Sequence, residues 1–306
     1  MRYQFLGQSD LSVSSIGLGC VTFGREIDEA TAYAVMDRAL EAGITLFDTA
    51  EVYGGSPGRS EEIIGRWLAE RGTRQQIVLA TKVRPPLDRG HIIASAEASL
   101  RRLRQVDAID LFQMHAWDSQ TPLDETLEAL DRLMQQGKVR HVGFSNCAAW
   151  QLCKALWYQE RAGHPRLAAV QPPYNLVVRD IERELLPLCA DQQVGILAYS
   201  PLGSGFLTGK YRPAGEMPKG TRMEIVPGTI PAYFHDAGFR ILDGLRAQAE
   251  LAGVPIPVLA LAWVMAEPRV TSVLIGVRSP AQIDQALAAD ALNMGAELRA
   301  ELSALT

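Results

Sequence analysis

Four side chains that can exchange protons stand where apolar segments of the chain end. The segment ITLFD ends at Asp48 with Tyr53 five residues later, QIVLATK ends at Lys82, and IDLFQMH ends at His115. Free tyrosine has a pKa of about 10, but a neighbouring ammonium lowers that pKa and makes the phenol a usable acid. Such a group could protonate a carbonyl oxygen that gains negative charge, with Tyr53 as the proton donor.

The other three residues would support that phenol. Lys82 would lower its pKa and His115 would hydrogen-bond and orient the carbonyl. A buried Asp or Lys is rarely tolerated without a partner, so an ion pair between Asp48 and Lys82 is predicted. Taken singly, each residue has an ordinary explanation: a turn or cap for the aspartate, surface packing for the tyrosine, solvation for the lysine and a structural role for the histidine. Their coincidence on neighbouring strand ends favours a shared site.

Short β-rich apolar runs alternate with amphipathic helical stretches along the chain, which is typical of a parallel sheet with helical crossovers. Eight strands are predicted, ending at Gly19, Asp48, Lys82, His115, Ser145, Gln171, Tyr199 and Gly276. Successive ends lie 26 to 34 residues apart, about one β-α unit, except for a last gap of 77 residues that also holds an insertion. No G-x-G-x-x-G follows the first strand, so a closed (β/α)8 TIM barrel of the α/β class is favoured over an open dinucleotide-binding sheet. Residues 1–306 are predicted to form one such domain.

Two further segments complete the predicted barrel. YQFL and LSVS flank the turn residues 7–10 and predict an N-terminal β-hairpin that caps the bottom of the barrel. The Gly- and Pro-rich stretch 203–237 predicts a long loop after strand 7, over the face where such loops are often functional. On the helix after strand 4, Thr121 is predicted to be the N-cap, Pro122 the first helical residue, and Gly137 the terminator.

Composition narrows the classes of partner and site. The net charge of −5 gives no reason to expect a nucleic-acid or membrane partner. The four cysteines lack C-x-x-C spacing and the start lacks the apolar run of a signal peptide, so a cytoplasmic protein with reduced thiols is expected. The longest apolar stretch, about twelve residues, is too short to span a membrane. The five histidines show no H-x-H or H-E-x-x-H spacing, so no metal site is predicted and a metal-dependent barrel hydrolase is disfavoured.

The motifs around these residues resemble those of the aldo-keto reductase family, in order and over nearly the whole chain. The matching segments are FDTAEVYG (47–54), ATK (80–82), QMH (113–115), GFSN (143–146), QPPYN (171–175), YSPLG (199–203) and GVRSPAQ (276–282). The resemblance implies an oxidoreductase that reduces aldehydes and ketones by hydride transfer from NADPH. It also implies that the catalytic residues are Asp48, Tyr53, Lys82 and His115.

A coenzyme site is implied by the same resemblance. Tyr199 would stack on the nicotinamide ring. Its carboxamide would be hydrogen-bonded by Ser145, Asn146 and Gln171, although Ser145–Asn146 alone would also fit a helix cap. The segment lining the pyrophosphate would comprise Ser200, Pro201, Leu202, Gly203, Ser204 and Gly205. Lys210 and Arg222 would help to hold the pyrophosphate, although each also fits a solvated loop charge.

The coenzyme residues implied after strand 8 are Gly276, Arg278, Gln282 and Gln285. The planar guanidinium of Arg278 suits a 2′-phosphate, so NADPH/NADP+ is expected and NADH is less favoured, unless Arg278 is an ordinary surface charge. Two positions depart from the family pattern. Ala286 stands where an asparagine is common, which removes one adenine contact, and Val277 stands where a smaller residue is frequent.

The substrate would be a small-molecule carbonyl compound. Val21, Phe23 and Trp117 are predicted to wall its pocket, with Tyr233 and Phe234 as further candidates. Some members of the family resemble regulatory channel subunits. A coenzyme-binding subunit with little turnover is therefore the alternative function, and the sequence leaves the oligomeric state open.

Overall fold

In the computed structural model, which describes residues 1–104, 107–213 and 215–305, eight parallel strands close into a barrel. Each strand pairs with the next along the chain, and the last pairs with the first. The barrel strands are β3 (Ile16–Gly19), β4 (Leu46–Asp48), β5 (Val78–Val83), β6 (Ile109–Met114), β7 (Val139–Ser145), β8 (Ala169–Gln171), β9 (Gly195–Ala198) and β10 (Ser272–Gly276). The predicted (β/α)8 barrel is confirmed.

Helices connect the strands and cover the outside of the barrel. They are α1 (Glu29–Glu41), α2 (Arg59–Arg71), α3 (Arg89–Leu103), α4 (Leu123–Gln135), α5 (Ala149–Ala162), α6 (Leu185–Gln192), α7 (Arg222–Ile225), α8 (Asp236–Ala252), α9 (Ile256–Met265), α10 (Pro280–Ala291) and α11 (Ala296–Ser303). The long segment after β9 contains α7 and two 3₁₀ turns at 203–208 and 227–232, so it is more structured than a plain loop.

The strands end where polar residues interrupt apolar runs, because a polar side chain is stable at the rim of the barrel and costly in its interior. Asp48 and Ser145 are the last residues of β4 and β7, as predicted. Lys82 lies one residue before the end of β5, whereas His115 and Tyr199 follow the ends of β6 and β9 by one residue. These shifts leave every predicted side chain at the carboxyl-end rim.

The start of α4 differs from the prediction. Pro122 has extended backbone angles and is the N-cap residue, so the helix begins at Leu123. Thr121 does not cap the helix because its hydroxyl donates a hydrogen bond of 2.7 Å to the Asp118 carboxylate. Gly137, with a φ of +69°, follows the C-cap residue Gln136, as expected for a terminating glycine.

The hairpin of β1 (Tyr3–Phe5) and β2 (Ser12–Ser14) closes the amino-end opening of the barrel. Leu6 and Leu11, from the turn between the two strands, and Val13, from β2, point inward and are buried. They pack in one cluster with interior residues of the barrel strands, namely Leu46, Ala80, Leu111, Ala169, Leu197 and Leu274. This apolar plug confirms the predicted capping hairpin.

A larger apolar core fills the space between the barrel and its helices. Helix α9 is the most apolar element and is buried along Val258–Met265, with Trp263 fully inside. Within the described residues no single helix has the length and apolar character to cross a membrane; α8 and α9 meet that test only together, as a pair bent by 99°.

We expect Leu6→Ala to lower the free energy of unfolding by about 2–5 kcal/mol, because it leaves a cavity in the plug that the closed barrel cannot collapse to fill. The neighbouring Phe5→Ala serves as the control, since Phe5 is 66% exposed. Urea unfolding followed by circular dichroism measures both variants. Equal losses in the two variants would show that the hairpin is not part of the barrel core.

Candidate active site

A cavity of about 440 Å³ opens at the carboxyl ends of the barrel strands. Three of the four predicted catalytic residues, Asp48, Tyr53 and His115, line it. The fourth, Lys82, lies directly beneath and is fully buried. The structure therefore brings all four residues together, as the strand ends predicted.

A buried ion pair forms the floor of this cavity. Lys82 Nζ donates a hydrogen bond of 2.6 Å to Asp48 Oδ2 and one of 2.8 Å to the Thr49 carbonyl oxygen. The β4–β5 register sets Asp48 beside Ala80, so that Lys82 lies two residues further along on the same face of the sheet. The predicted pair is confirmed. The Asp48 carboxylate holds the pKa of Lys82 above its usual value even though burial opposes this.

Tyr53 lies above the ion pair, at the turn that follows β4. Its ring centroid is 5.0 Å from Lys82 Nζ. Burial raises the pKa of the Tyr53 phenol, and the Lys82 charge opposes this increase without overcoming it. The expected lowering of this pKa is therefore wrong as a net effect, because burial of the phenol outweighs the Lys82 charge and the nearby Asp48 carboxylate raises the pKa further. The phenol consequently keeps its proton at neutral pH and can donate it.

The imidazole of His115 meets the Tyr53 ring edge to face, with the two centroids 5.7 Å apart. Burial, followed by the charges of Lys82 and Arg84, lowers the pKa of His115 to about 3. His115 Nδ1 is buried and has no hydrogen-bond partner among the described residues. The site thus holds a neutral imidazole with unused hydrogen-bonding capacity beside the Tyr53 phenol.

Two glutamine amides bind the other oxygen of the Asp48 carboxylate. Gln171 Nε2 donates to Asp48 Oδ1 at 2.9 Å and Gln113 Nε2 donates to the same oxygen at 3.3 Å. Gln113 is fully buried and was not among the predicted site residues. Its position two residues before His115 on β6 places both side chains on one face of the strand, a signal that could have identified it.

Asn146 ties together the strand ends at the predicted nicotinamide position. Its Nδ2 donates to the His115 carbonyl oxygen at 2.9 Å and to Ser145 Oγ at 3.0 Å, while Tyr199 Oη donates to its Oδ1 at 2.7 Å. Ser145 Oγ donates in turn to the Gln171 carbonyl oxygen at 2.9 Å. The helix-cap explanation for Ser145–Asn146 is wrong, since Ala148 is the N-cap of α5.

The predicted coenzyme residues line the cavity with one exception. Those in contact with it are Ser145, Asn146, Gln171, Tyr199, Ser200, Pro201, Leu202, Ser204, Gly205, Lys210, Arg222, Gly276, Arg278, Gln282 and Gln285. Gly203 does not line it, because this glycine is buried against the Tyr233 ring, from which an added Cβ would be only 2.8 Å away.

Three cationic side chains converge at the outer end of the cavity. Partial desolvation and then the neighbouring Arg278 charge lower the pKa of Lys210. Arg222 forms an ion pair of 2.6 Å with Glu26, and Arg278 donates to the Gly220 carbonyl oxygen. Arg222, on α7, is therefore held in place by Glu26 from the loop after β3, and Arg278 is held by the long segment after β9. Ordinary solvated charges would not be fixed in this way.

Only one residue of the predicted substrate wall lines the cavity. Val21 lines the cavity, but Phe23 is fully buried because residues 20–27 fold back, with the Gly24 amide donating to the Ile27 carbonyl oxygen at 2.9 Å. Trp117 stacks on Phe144 with ring centroids 5.6 Å apart and stands outside the cavity lining.

Tyr233 and Phe234 also stand outside the lining. Both pack around Phe206, at centroid distances of 5.8 and 5.6 Å, in an aromatic cluster within the long segment after β9. Cavity residues that the sequence did not identify are Gly19, Thr22, Thr208, Thr229, Pro257, Leu261, Leu274 and Ile275. Val277 and Ala286, the two departures from the family pattern, line it as well.

Residues 15–305 match the model of the Aldo/keto reductase family. An uncharacterized oxidoreductase of Bacillus subtilis (strain 168) is 37% identical, over 97% of this chain and 94% of its own length. A probable voltage-gated potassium channel subunit beta of Arabidopsis thaliana is 35% identical, over 93% of this chain and 90% of its own. An L-glyceraldehyde 3-phosphate reductase of Escherichia coli (strain K12) is 32% identical, over 93% of this chain and 86% of its own.

The low pKa of His115 predicts a pH dependence of stability. In the unfolded chain the imidazole takes up a proton near its ordinary pKa of 6.5, whereas the folded protein takes it up only near pH 3. The stability linked to this group is therefore complete above pH 6.5 and is lost as the pH falls towards 3. We expect urea midpoints of His115→Gln to decline less over this range than those of the wild type.

His91→Gln, on the outer helix α3, is the control and should keep the wild-type pH dependence. Parallel declines in the wild type and in His115→Gln would contradict a neutral imidazole at this position.

Proposed function

The chain belongs to the aldo/keto reductase family, whose members are oxidoreductases that use nicotinamide coenzymes, and from this premise we propose that it reduces aldehydes and ketones to alcohols with NADPH. Tyr53 is the proton donor in this proposal. The observation that carries it is one cavity in which a protonated phenol lies beside a buried ion pair at the deep end and three cations converge at the outer end.

NADPH, when bound, would supply the hydride for the carbonyl carbon. As the carbonyl oxygen gains negative charge, Tyr53 transfers its proton to it and becomes a phenolate. Lys82, 5.0 Å from the centre of the Tyr53 ring, stabilises this phenolate, and Asp48 keeps Lys82 in place. Solvent then returns a proton to Tyr53. In alcohol oxidation the phenolate is the base, so that direction gains rate as the pH rises.

Neutral His115 orients the substrate in this scheme. Its side chain lines the cavity, and its ring lies edge to face against Tyr53. A neutral imidazole can hydrogen-bond the carbonyl oxygen without adding a charge that would compete with the proton transfer. Its burial and the Lys82 charge keep it in that form.

The residues around the cavity fit NADPH. Tyr199 offers an aromatic face beside Asn146, and Gln171 stands between them and the Asp48 carboxylate. Gly205 presents backbone without a side chain, which suits the close approach of phosphate oxygens, and Lys210 and Arg222 add positive charge there. Arg278 would bind the 2′-phosphate, so NADPH is proposed over NADH.

Coenzyme binding with little turnover remains the second candidate, because one relative is named as a probable channel subunit beta. The reductase is favoured because Asp48, Tyr53 and His115 line one cavity and Lys82 lies directly beneath it, paired with Asp48. A wild-type protein that binds NADPH but consumes none with a panel of aldehydes and ketones would support the second candidate.

We expect Tyr53→Phe to lower kcat for aldehyde reduction by about 100- to 10,000-fold, since the variant keeps the ring but has no proton to give. Its Kd for NADPH should remain near that of the wild type. Loss of the reduced-nicotinamide absorbance measures kcat, and quenching of protein fluorescence measures Kd. Tyr158→Phe, on the outer helix α5, is the matched control. Wild-type turnover in Tyr53→Phe, with chemistry limiting the rate, would reassign the proton donor.

Arg278→Ala should raise the Kd for NADPH by about tenfold to a hundredfold, the usual cost of losing a charge-assisted hydrogen bond. The Kd for NADH should change little. Measuring both coenzymes separates loss of the phosphate contact from loosening of the bond to Gly220, because loosening would weaken both. Arg240→Ala removes an exposed arginine from α8 and is the control. Equal weakening of both coenzymes would refute the 2′-phosphate assignment.

A further inference from the structure

Resting on the proposed function, we infer that Gln113 is a positioning residue that fixes the amide of Gln171 towards the coenzyme and holds the Asp48 carboxylate in its pairing orientation. Gln113 lies inside the barrel and is fully buried. It faces Lys82 across β5 and Gly143 across β7. A Cβ at Gly143 would lie 3.2 Å from Gln113 Cγ, so a glycine there leaves the room this side chain occupies.

The carboxylate of Asp48 dictates how both amides are oriented. An ionised carboxylate accepts hydrogen bonds and donates none, so Gln113 and Gln171 must each turn their NH₂ groups towards Asp48 Oδ1. The distances agree, at 3.3 Å from Gln113 Nε2 and 2.9 Å from Gln171 Nε2. The assignment of amide nitrogen and oxygen therefore follows from charge.

Gln113 also takes the second proton of the Gln171 amide. Gln171 Nε2 donates to Gln113 Oε1 at 3.4 Å in addition to its bond with Asp48. Both donors of Gln171 are thus used inside the barrel, and its Oε1 is left as an acceptor on the cavity side. An acceptor at that point suits the NH₂ of a nicotinamide carboxamide. Without Gln113 the Gln171 amide would be held by one bond, which permits rotation about its terminal torsion.

The hydrogen bond from Gln113 to Asp48 also stabilises the ion pair of Asp48 and Lys82. Asp48 Oδ2 is bound by Lys82, and Oδ1 is bound by the two amides, so both oxygens of the buried carboxylate are satisfied. The two bonds of Gln113 are longer than the usual 2.9 Å of an amide hydrogen bond, so their loss should have a moderate effect.

Two variants test the inference in the full-length protein, with NADPH as the probe. Gln113→Leu keeps approximate size and removes every hydrogen bond of the amide. We expect its Kd for NADPH to rise roughly tenfold and kcat for aldehyde reduction to fall by a similar factor. Gln113→Glu keeps the shape and the acceptor, but its carboxylate repels Asp48. NADPH binding and kcat should be impaired more strongly at neutral pH.

Lowering the pH should restore the function of Gln113→Glu, because its protonated carboxyl can again donate to Asp48 Oδ1. The charged groups that face this position are Asp48 from β4 and Lys82 from β5, and the titratable His115 follows the end of β6 two residues further along the chain. Gly143 on β7 and Gln171 on β8 carry no charge. If Gln113 only filled space, lowering the pH would not restore the function of Gln113→Glu. Such a recovery would also show that the loss of function in the Gln113 variants does not come from failed folding.

Gln159→Leu is the matched control. Gln159 is also buried, and its amide bonds to Pro165 O and Leu167 N in the loop after α5, away from the cavity. It should lose thermal stability while keeping the wild-type Kd, kcat and pH profile. If both Gln113 variants fold and also keep these wild-type values, the inference is overturned.

The two proposals fail in distinguishable ways. The NADPH Kd is measured without a carbonyl substrate, so it tests Gln113 even in a protein that binds the coenzyme without turnover. A wild type that reduces aldehydes while Gln113→Leu and Gln113→Glu bind and turn over normally would refute only the role of Gln113. A wild type with no measurable affinity for NADPH would refute both proposals.

Discussion

The ion pair of Asp48 and Lys82 inside the barrel constrains everything above it. Lys82 is entirely removed from water, and a lone charge in such a place would cost several kcal/mol. Its partner must therefore stand within hydrogen-bonding distance, which fixes the relative positions of the ends of β4 and β5. The carboxylate in turn recruits amide donors from β6 and β8. One electrostatic requirement thus ties four of the eight strands together at the floor of the cavity.

The cavity has two electrically different halves. At the deep end the ion pair is neutral overall, Tyr53 retains its proton and His115 is uncharged, so no net charge is present. A hydrogen-bond donor at the deep end, such as Tyr53, would act on an uncharged group of a ligand. Hydrogen bonds are strongest in such an environment of low dielectric constant. At the outer end Lys210, Arg222 and Arg278 provide positive charge. A ligand that is uncharged at one end and phosphorylated at the other matches this division.

The sequence was a good guide wherever a polar residue interrupted an apolar strand. Asp48, Lys82 and His115 could be located in this way because the rim of a barrel is where such residues are tolerated. Side-chain direction in the loops could not be read in the same way. Phe23 looked like a pocket wall, but residues 20–27 fold back and bury it. The family resemblance assigned a role to Gln171 and none to Gln113. The contact of Gln113 with Asp48 depends on the register of the barrel strands.

The sequence also could not show which of two opposing influences on one residue is the stronger. The proximity of Lys82 to Tyr53 was expected to lower the phenol pKa, and the direction of that single influence is right. Burial of the phenol outweighs that influence, and the Asp48 carboxylate raises the pKa further. Whether Thr121 caps α4 depended similarly on a competitor, the Asp118 carboxylate, which is visible only in three dimensions.

The apolar hairpin at the opposite end limits access to the cavity. Within the described part of the chain, Leu6, Leu11 and Val13 close the amino end of the barrel. Any molecule that binds in the cavity must therefore enter and leave at the carboxyl ends of the strands. The same apolar plug keeps solvent from reaching Lys82 from the amino end of the barrel.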